Sequence, residues 1–322
     1  MNRLQQILIA LLVVQIIIVA AIFWPQSGDT IQDAPLFGEI SAQNVQALSV
    51  EDENGKTIHM ARSDSGWVLP DADNYPVLTE NVDPLLEGLI KVRTDRLVAR
   101  TDASHKRLQV AVDDFLYKAT LEFTDGHTET LIIGSTPSSG ATHVRLEGQD
   151  EVYITSSINS WDYSASAANW VDPNYVTLPQ ENMTAMTLEN ANGTFDFKLV
   201  DGIWTMADLS EEQVFLPNNV ISLLGQLSSV RLLEPLGKEA LPAYGFDDPR
   251  AKITLTMENE ETGSQSYTFL VGATFEDQDA GAFYFSGSEY YILINEFTVT
   301  NFVERDMEDF IQQEAEEVST EE

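Results

Sequence analysis

The chain has 322 residues, 43% of them hydrophobic and none of them cysteine, which suits about two folded domains and excludes disulfides, thiolate metal sites and cysteine nucleophiles within this sequence. Seventeen basic residues stand against 52 acidic ones, for a formal net charge of -35. A field of this sign repels phosphates, so nucleic acid is excluded as a partner. Two interpretations of the acidity remain: solubility in a saline setting, or attraction of cations or of a basic partner surface.

Residues 7–24 are apolar apart from Gln15. As a helix they would extend about 27 Å, enough to cross a bilayer. Trp24 stands where an interfacial aromatic belongs, and Pro25 ends the helix. The alternative is a cleavable signal peptide, which would have a shorter apolar region and a small-residue cleavage site. We therefore expect an uncleaved transmembrane anchor.

The charges around this segment predict its orientation. Arg3 and the amino terminus precede it, whereas Asp29, Asp33 and Glu39 follow it. The positive-inside rule then places residues 1–6 in the cytoplasm as a short stub. We expect a single-pass protein of the cytoplasmic (inner) membrane whose carboxy-terminal portion is periplasmic or extracellular. Residues 25–44, with Gly, Asp, Pro and Gln, read as a tether.

The next segment, residues 45–178, is predicted to be a first α+β unit. Asn54-Gly55 between two alternating apolar runs indicates a hairpin. A helix is expected at residues 78–92 from the spacing of its apolar residues, with Pro84 tolerated in its first turn. Residues 156–170 read as a short terminal helix and a connector. Strands are expected at residues 45–51, 57–62, 119–123, 129–133, 143–146 and 152–154.

The segment 179–312 shows the same order and is predicted to be a second α+β unit. Asn192-Gly193 again indicates a turn between strands. A helix is expected at residues 217–227 and a closing helix at residues 296–313, followed by an acidic tail over residues 313–322. Strands are expected at residues 185–189, 194–199, 253–257, 267–271, 282–285 and 290–293.

The two segments resemble each other residue by residue, which indicates an internal repeat. Many short strands with one principal helix per unit favour an α+β fold, in which each unit is an antiparallel sheet with one packed helix. The matching positions are Val45, Leu48, Trp67, Val82 and Leu86 against Met183, Met186, Trp204, Val220 and Leu224, Val112-Asp113-Asp114 against Phe246-Asp247-Asp248, and Ile132-Ile133-Gly134 against Leu270-Val271-Gly272.

At Trp204, at Tyr244-Gly245-Phe246-Asp247-Asp248-Pro249 and at Leu270-Val271-Gly272, the chain resembles a bacterial family catalogued as a domain of unknown function, number 4340. The resemblance extends over about residues 45–310. In the first copy Phe115 replaces the proline, and no Tyr-Gly precedes Val112. The resemblance implies an N-terminal membrane anchor and an accessory role beside an ABC-type transport system. It implies no catalytic residues.

Three groups of polar residues are candidates for functional sites. The four histidines all fall in the first unit, and we expect them on the surface rather than around a shared metal. Two acidic loops begin like calcium loops but lack the full spacing, so solvated turns are expected and weak divalent binding is the alternative. Two aspartate pairs suit turns better than catalysis. These groups are His59, His105, His127 and His143; Asp71 with Asp73 and Asp277 with Asp279; and Asp113-Asp114 and Asp247-Asp248.

No catalytic, cofactor-binding or metal-binding residue is therefore predicted, and the residues singled out are structural. Trp67 and Trp204 are expected to anchor the cores, and the rings of Phe283-Tyr284-Phe285 and Tyr290-Tyr291 to alternate, leaving some available to a partner. The structural motif consists of Trp67, Trp204, Tyr244, Gly245, Phe246, Pro249, Gly134 and Gly272.

The leading hypothesis is a non-enzymatic, membrane-anchored extracytoplasmic accessory protein of an ABC-type transport or cell-envelope complex. It would dock through sheet edges or exposed aromatics, with transporter membrane subunits as partners. The alternative is an extracytoplasmic module that binds a polysaccharide, a peptide or a divalent cation in a cleft between the two units.

Overall fold

The computed structural model describes residues 12–15, 33–138, 140–259, 261 and 263–312. Of the predicted anchor, only residues 12–15 belong to this set, and they are helical and exposed. The rest of the anchor, the start of the tether and the acidic tail lie outside the described residues. Within the described part, no helix has the length and apolar character needed to cross a membrane.

The first half of the chain forms a nine-stranded antiparallel sheet in the order β4-β3-β2-β1-β8-β9-β10-β11-β5, and β6 and β7 form a small separate hairpin. Alternating buried positions place one face of β1 and β8 in the core. The strands are β1 (Val45–Asp52), β2 (Thr57–Ser63), β3 (Gly66–Leu69), β4 (Tyr75–Pro76), β5 (Leu97–Ala99), β6 (Val110–Ala111), β7 (Asp114–Phe115), β8 (Tyr117–Phe123), β9 (Thr128–Ile133), β10 (Thr142–Leu146) and β11 (Val152–Thr155).

The second half forms an eight-stranded antiparallel sheet in the order β15-β14-β13-β18-β19-β20-β21-β17, and β12 pairs with β16. Apart from β4, the two sheets follow the same path through their strands. The strands are β12 (Asn174–Thr177), β13 (Met183–Asn190), β14 (Gly193–Val200), β15 (Ile203–Met206), β16 (Ser229–Arg231), β17 (Glu234–Gly237), β18 (Ala251–Asn259), β19 (Gly263–Phe275), β20 (Ala280–Phe285) and β21 (Tyr291–Asn295).

The helices are α1 (Thr79–Ile90), α2 (Asp102–Arg107), α3 (Pro217–Ser228) and α4 (Glu296–Val303). The principal helices α1 and α3 occur where the sequence predicts them. Pro84 lies at the sixth position of α1 rather than in its first turn, so the helix loses one internal hydrogen bond there. The short helix α2 was not predicted.

Two predicted helical segments differ from the structure. Residues 156–170 contain the 3₁₀ turns Ser160–Asp162 and Ala167–Asn169 in place of a helix, because local hydroxyls compete for the backbone, as when Ser164 accepts from the N–H of Ser166 at 3.1 Å. The closing helix ends at Val303, and Asp306 caps a separate 3₁₀ turn, Met307–Asp309.

Each half closes over its principal helix in the same way. The N–H of Leu78, just before α1, donates to the carbonyl of Trp170 at 2.7 Å, and the N–H of Leu216, just before α3, donates to the carbonyl of Phe310 at 2.8 Å. The amides of Asn81 and Asn219 donate to the carbonyls one residue earlier, Asn169 and Asp309. These bonds satisfy donors and carbonyls that would otherwise be left unpaired.

Most of the buried apolar side chains of both halves join in one cluster, to which Leu36 and Phe37 of the predicted tether also contribute. Val110, Ile132 and Val152 form a small separate cluster in the first half. Leu36 donates to the carbonyl of Val92 at 2.8 Å. The described part of the chain is thus a sheet-rich α+β fold, as the sequence indicates.

Candidate docking surface

The outer hairpin of the second sheet, formed by β14 and β15, presents two apolar side chains to solvent at its tip. A tight two-residue turn, Asp201-Gly202, with φ of 51° and 80°, joins β15 to β14. Val200 and Ile203 are direct cross-strand partners on either side of this turn and are 51% and 63% exposed. Cross-strand partners share a face of the sheet, so the two side chains form one exposed apolar pair.

The corresponding strand of the first sheet, β3, is covered. Strand β4 pairs along its outer side, with Leu69 opposite Tyr75 and Val68 opposite Pro76. At its hairpin tip the cross-strand partners are Ser63 and Gly66, where the second sheet has Val200 and Ile203. In the part of the chain that the structure describes, β15 has no outer strand. An open edge and an apolar tip therefore coincide in the second half.

Acidic residues surround this open edge. Asp201 forms the turn, Asp208 follows β15, and Glu211 and Glu212 come shortly after; all four are exposed. The exposed Lys198 on β14 contributes one positive charge. The edge thus offers unpaired backbone groups and apolar side chains in a negative field, which suits an extended segment with apolar and basic side chains.

The two sheets meet at a polar junction. The backbone N–H of Lys238 donates to Asp73 at 2.7 Å, and the hydroxyl of Tyr290 donates to the carbonyl of Asn74 at 3.2 Å. The rings of Tyr75 and Tyr290 meet edge to face, 4.7 Å apart. Burial raises the pKa of Tyr75 to about 12, and that of Tyr175 nearby also to about 12. Both phenols are therefore neutral over the physiological range.

Two cavities adjoin this junction, of about 90 Å³ and about 500 Å³. Both are lined by Lys56 and Glu234, whose side chains form an ion pair at 3.1 Å across the junction. Charged, small and aliphatic residues line both cavities. Tyr75 and Tyr290 do not line them, and their rings pack against each other.

The rings proposed as partner contacts have partners within the chain. Phe283 and Phe285 are buried, and Tyr284, Tyr290 and Tyr291 are half-buried. The rings of Tyr284 and Tyr291 stack with centroids 4.8 Å apart. The expectation that these strand positions leave free rings is wrong, because side chains from the junction and from the 244–246 turn cover them.

The predicted tryptophans are both buried, Trp67 at 2% and Trp204 at 8% exposure. The indole of Trp67 donates to Asp83 at 3.3 Å, and the guanidinium of Arg62 lies 4.5 Å from its ring centroid.

The Tyr244-Gly245-Phe246 turn packs directly against the end of β19. A Cβ on Gly272 would lie 2.0 Å from the carbonyl oxygen of Tyr244, so only glycine fits there. Gly245 adopts φ of 71°, in the left-handed region. Pro249 follows at a half-buried position before β18.

The first half builds the same contact with different residues. A Cβ on Gly134 would lie 2.3 Å from the carbonyl oxygen of Leu108, and Gln109 adopts φ of 56°. The turn that packs on Gly134 is thus formed by Leu108-Gln109-Val110. The residue-by-residue match between the two segments instead predicts this turn around Val112. The sequence does not reveal this turn, because a glutamine takes the left-handed backbone position that glycine normally occupies.

The acidic candidates remain in exposed turns. Asp113 accepts from Lys106 at 3.1 Å, and this hydrogen bond lowers the pKa of Asp113. Asp247 and Asp248 are exposed in the turn after Phe246. Among the described residues, no three His, Asp or Glu side chains are grouped so as to hold a metal ion.

Two of the four histidines are buried, contrary to expectation. His105 and His143 are each 6% exposed, whereas His59 and His127 are exposed. A ring nitrogen of His105 lies 2.8 Å from the carbonyl oxygen of Asp150, and Nδ1 of His143 lies 3.1 Å from the hydroxyl of Ser135. Burial lowers the pKa of His143. Asp150 is 45 residues from His105 in the sequence, and Ser135 comes just after β9, the strand that pairs with that of His143, so the burial depends on the folded arrangement rather than on residue spacing.

Residues 67–216 match the model of the family described as a domain of unknown function (DUF4340). The matched segment begins at Trp67 in β3 and ends at Leu216, directly before α3. It contains most of β3 and all of β15, the strands that correspond to each other in the two sheets. No match was found among curated proteins or among solved structures.

Proposed function

Residues 67–216 belong to the DUF4340 family, and from that premise we propose that the protein is a non-enzymatic, membrane-anchored accessory subunit that docks onto a transport or cell-envelope complex. The observation that carries the proposal is the open edge of β15, with its exposed Val200–Ile203 pair. Soluble proteins usually cover or charge such edges, as β4 covers β3 here.

The partner that fits this edge is an extended protein segment that adds a strand beside β15. Main-chain hydrogen bonds would supply affinity, and an apolar side chain on the Val200–Ile203 pair would set the register. Basic residues flanking that side chain would complement Asp201 and Asp208, and the net charge of -35 would speed the encounter.

We also propose that the molecule consists of two tandem repeated units, residues 45–178 and 179–312. The shared strand order, the paired Leu78–Trp170 and Leu216–Phe310 hydrogen bonds and the matching Gly134 and Gly272 contacts support this proposal. The second unit would be the docking unit, because the exposed Val200–Ile203 pair lies at its β15 edge.

Location is part of the proposal and rests on the sequence. The apolar run over residues 7–24 would anchor the chain in the cytoplasmic membrane, with the acidic portion outside. The family resemblance supports membrane subunits of an ABC-type transporter as the partner.

Site-specific crosslinking in cells tests the docking proposal. A photoreactive amino acid replaces either Thr205, exposed on β15, or Val98, 45% exposed on β5 at the opposite end of the first sheet. We expect adducts with transporter membrane subunits from position 205 and none from position 98. Ile203→Lys should abolish the adduct, whereas Val112→Lys, at a 52% exposed position of the first half, should leave it unchanged. Equal adducts from both positions, or none from 205, would refute docking at β15.

The alternative is ligand binding at the junction, favoured by the two cavities beside the Lys56–Glu234 ion pair. A ligand held there would raise the melting temperature of the purified described region, and Lys56→Met would remove that shift. Because Lys56 pairs with Glu234 on β17, at the opposite end of the second sheet from β15, the same variant should leave the crosslink at position 205 intact. The two proposals therefore give separable results with one variant.

A further inference from the structure

Among the residues that the structure describes, the largest exposed aromatic side chain lies in the first half, on the loop between β11 and β12. Trp161 is 84% exposed, in the 3₁₀ turn Ser160–Asp162. A single exposed aromatic needs no explanation by itself. Trp161, however, borders a groove of about 500 Å³. We call this groove, with Trp161 and the side chains described below, the Trp161 groove.

The Trp161 groove is lined by the apolar surfaces of Leu116, Tyr117 and Trp161 and by several side chains that can exchange hydrogen bonds. The hydroxyls of Thr136 and Ser160 lie 3.0 Å apart on one side, and the amides of Asn54 and Gln109 lie on others. The amide of Asn54 has no hydrogen-bond partner among the described residues, and its backbone N–H donates to Asp52 at 2.9 Å. An indole beside several hydroxyl and amide groups is a mixed apolar and polar surface typical of small-molecule sites.

The same place in the second half is closed. The amides of Asn190 and Asn192, at the β13–β14 turn, donate to the carbonyls of Phe302, Glu304 and Arg305 at 2.8–3.2 Å. The corresponding β1–β2 turn, which carries Asp52 and Asn54, faces the loop of Trp161 across the open groove instead.

The groove also contains a side chain held at a conformational cost. Gln109 adopts φ of 56° where Gly245 serves in the second half. A non-glycine residue in this region is strained, and glycine would remove that strain together with the amide that lines the groove. Gln109 thus gives the groove a hydrogen-bonding side chain that glycine would lack.

We infer that the Trp161 groove binds an oligosaccharide that is neutral or carries amino groups. The apolar face of a sugar ring stacks on an indole, and its hydroxyls pair with amides and hydroxyls such as those of Asn54, Gln109 and Thr136. Asp52 and Glu53 line the same groove, so an anionic sugar is disfavoured and an amino sugar is favoured. This inference is independent of docking at β15.

Titration of the purified region with three trisaccharides tests it: cellotriose, the trimer of glucosamine, and trigalacturonate, followed by the indole NMR signals. We expect saturable binding of the first two, tighter for the glucosamine trimer, and none of trigalacturonate. Trp161→Ala should weaken binding by about tenfold or more. Phe297→Ala, which removes a 75% exposed aromatic of the second half, is the matched control and should bind as the parent does.

Trp161→Ala should leave the fold intact, because little of the Trp161 side chain is buried. Equal melting temperatures of the variant and the parent would verify this. Gln109→Gly should relieve strain and raise the melting temperature while weakening the sugar, a combination that a purely structural residue would not give. Failure of all three sugars to bind, preference for trigalacturonate, or equal losses from Trp161→Ala and Phe297→Ala would overturn the inference. Ile203→Lys should leave sugar binding unchanged, which separates this result from the docking experiment.

Discussion

The two halves of the molecule make equivalent backbone contacts with different side chains. Trp170 closes the first half, and its indole donates to the carbonyl of Ser164 at 2.9 Å. Phe310 closes the second half and packs against Phe195 and Phe197, with ring centroids 5.3 Å and 4.9 Å away. The hydrogen bonds from Leu78 and Leu216 are nevertheless alike in both halves. The closure is therefore defined by backbone geometry, and either a polar or an apolar ring can fill the space beneath it.

The halves differ most where they face outwards. The first half has a covered edge and an open groove beside Trp161, and the second has an open edge and a groove closed by Asn190 and Asn192. Buried contacts are shared while exposed ones diverge, which is the pattern expected when one scaffold presents two different surfaces.

The largest expected effect comes from removing the closing rings. Phe310→Ala deletes a fully buried ring and should lower the free energy of unfolding by about 3–5 kcal/mol. Trp170→Ala should cost a similar amount in the first half. Denaturant unfolding of both variants measures this. A negligible effect at either position would show that this closure does not stabilise its half.

The glycines under the two turns are the next test. Gly272→Ala and Gly134→Ala each place a methyl group within 2.3 Å of a carbonyl oxygen, so each should destabilise by about 1–3 kcal/mol or more. Gly225→Ala, inside α3 and with its nearest neighbour 3.8 Å away, is the control. It should be neutral or stabilising by up to about 1 kcal/mol. If Gly134→Ala were tolerated and Gly272→Ala were not, the two turns would not be equivalent.

Residue pattern was sufficient for the parts of the fold that depend on local periodicity. Both principal helices and most of the strands of both sheets occur where alternation and helical spacing predict them. The two-residue strand β4 and the proline-containing β17 have too little local pattern to be predicted. The terminal helices were overestimated because local side-chain bonds at Ser164 and Asp306 interrupt them.

The surfaces were harder to predict, because each depends on residues far apart in sequence. No local residue pattern near β15 indicates that its outer side lacks a strand. The one sequence difference that accompanies the open edge is the apolar pair Val200 and Ile203, where the first half has Ser63 and Gly66. The Trp161 groove requires the β1–β2 turn, the Gln109 turn and the β11–β12 loop to meet, which periodicity cannot reveal.

A smaller effect is expected at the junction that joins the halves. Asp73→Ala removes the acceptor of the Lys238 N–H bond and should cost about 1–3 kcal/mol. Asp73→Asn retains an acceptor and tolerates the φ of 52° at this position, so it should restore much of the loss. Asp71→Ala, at a 70% exposed side chain, is the control. Calorimetry should show the two halves of Asp73→Ala unfolding less cooperatively, and an unchanged single transition would argue against coupling through this bond.

The smallest effect concerns pH and is confined to the first half, because all four histidines lie there. Burial lowers the pKa of His143 in the folded state, outweighing its bond to Ser135. Its unfolded pKa is about 6.5, so the unfolded chain binds the proton more readily. The stabilisation is fully present above that pH and is lost as the pH falls towards the folded pKa. Unfolding at constant ionic strength from pH 7 to 5.5 should therefore show decreasing stability, with a smaller slope in His143→Asn. An imidazole NMR titration of His143 at or above its ordinary pKa would contradict this.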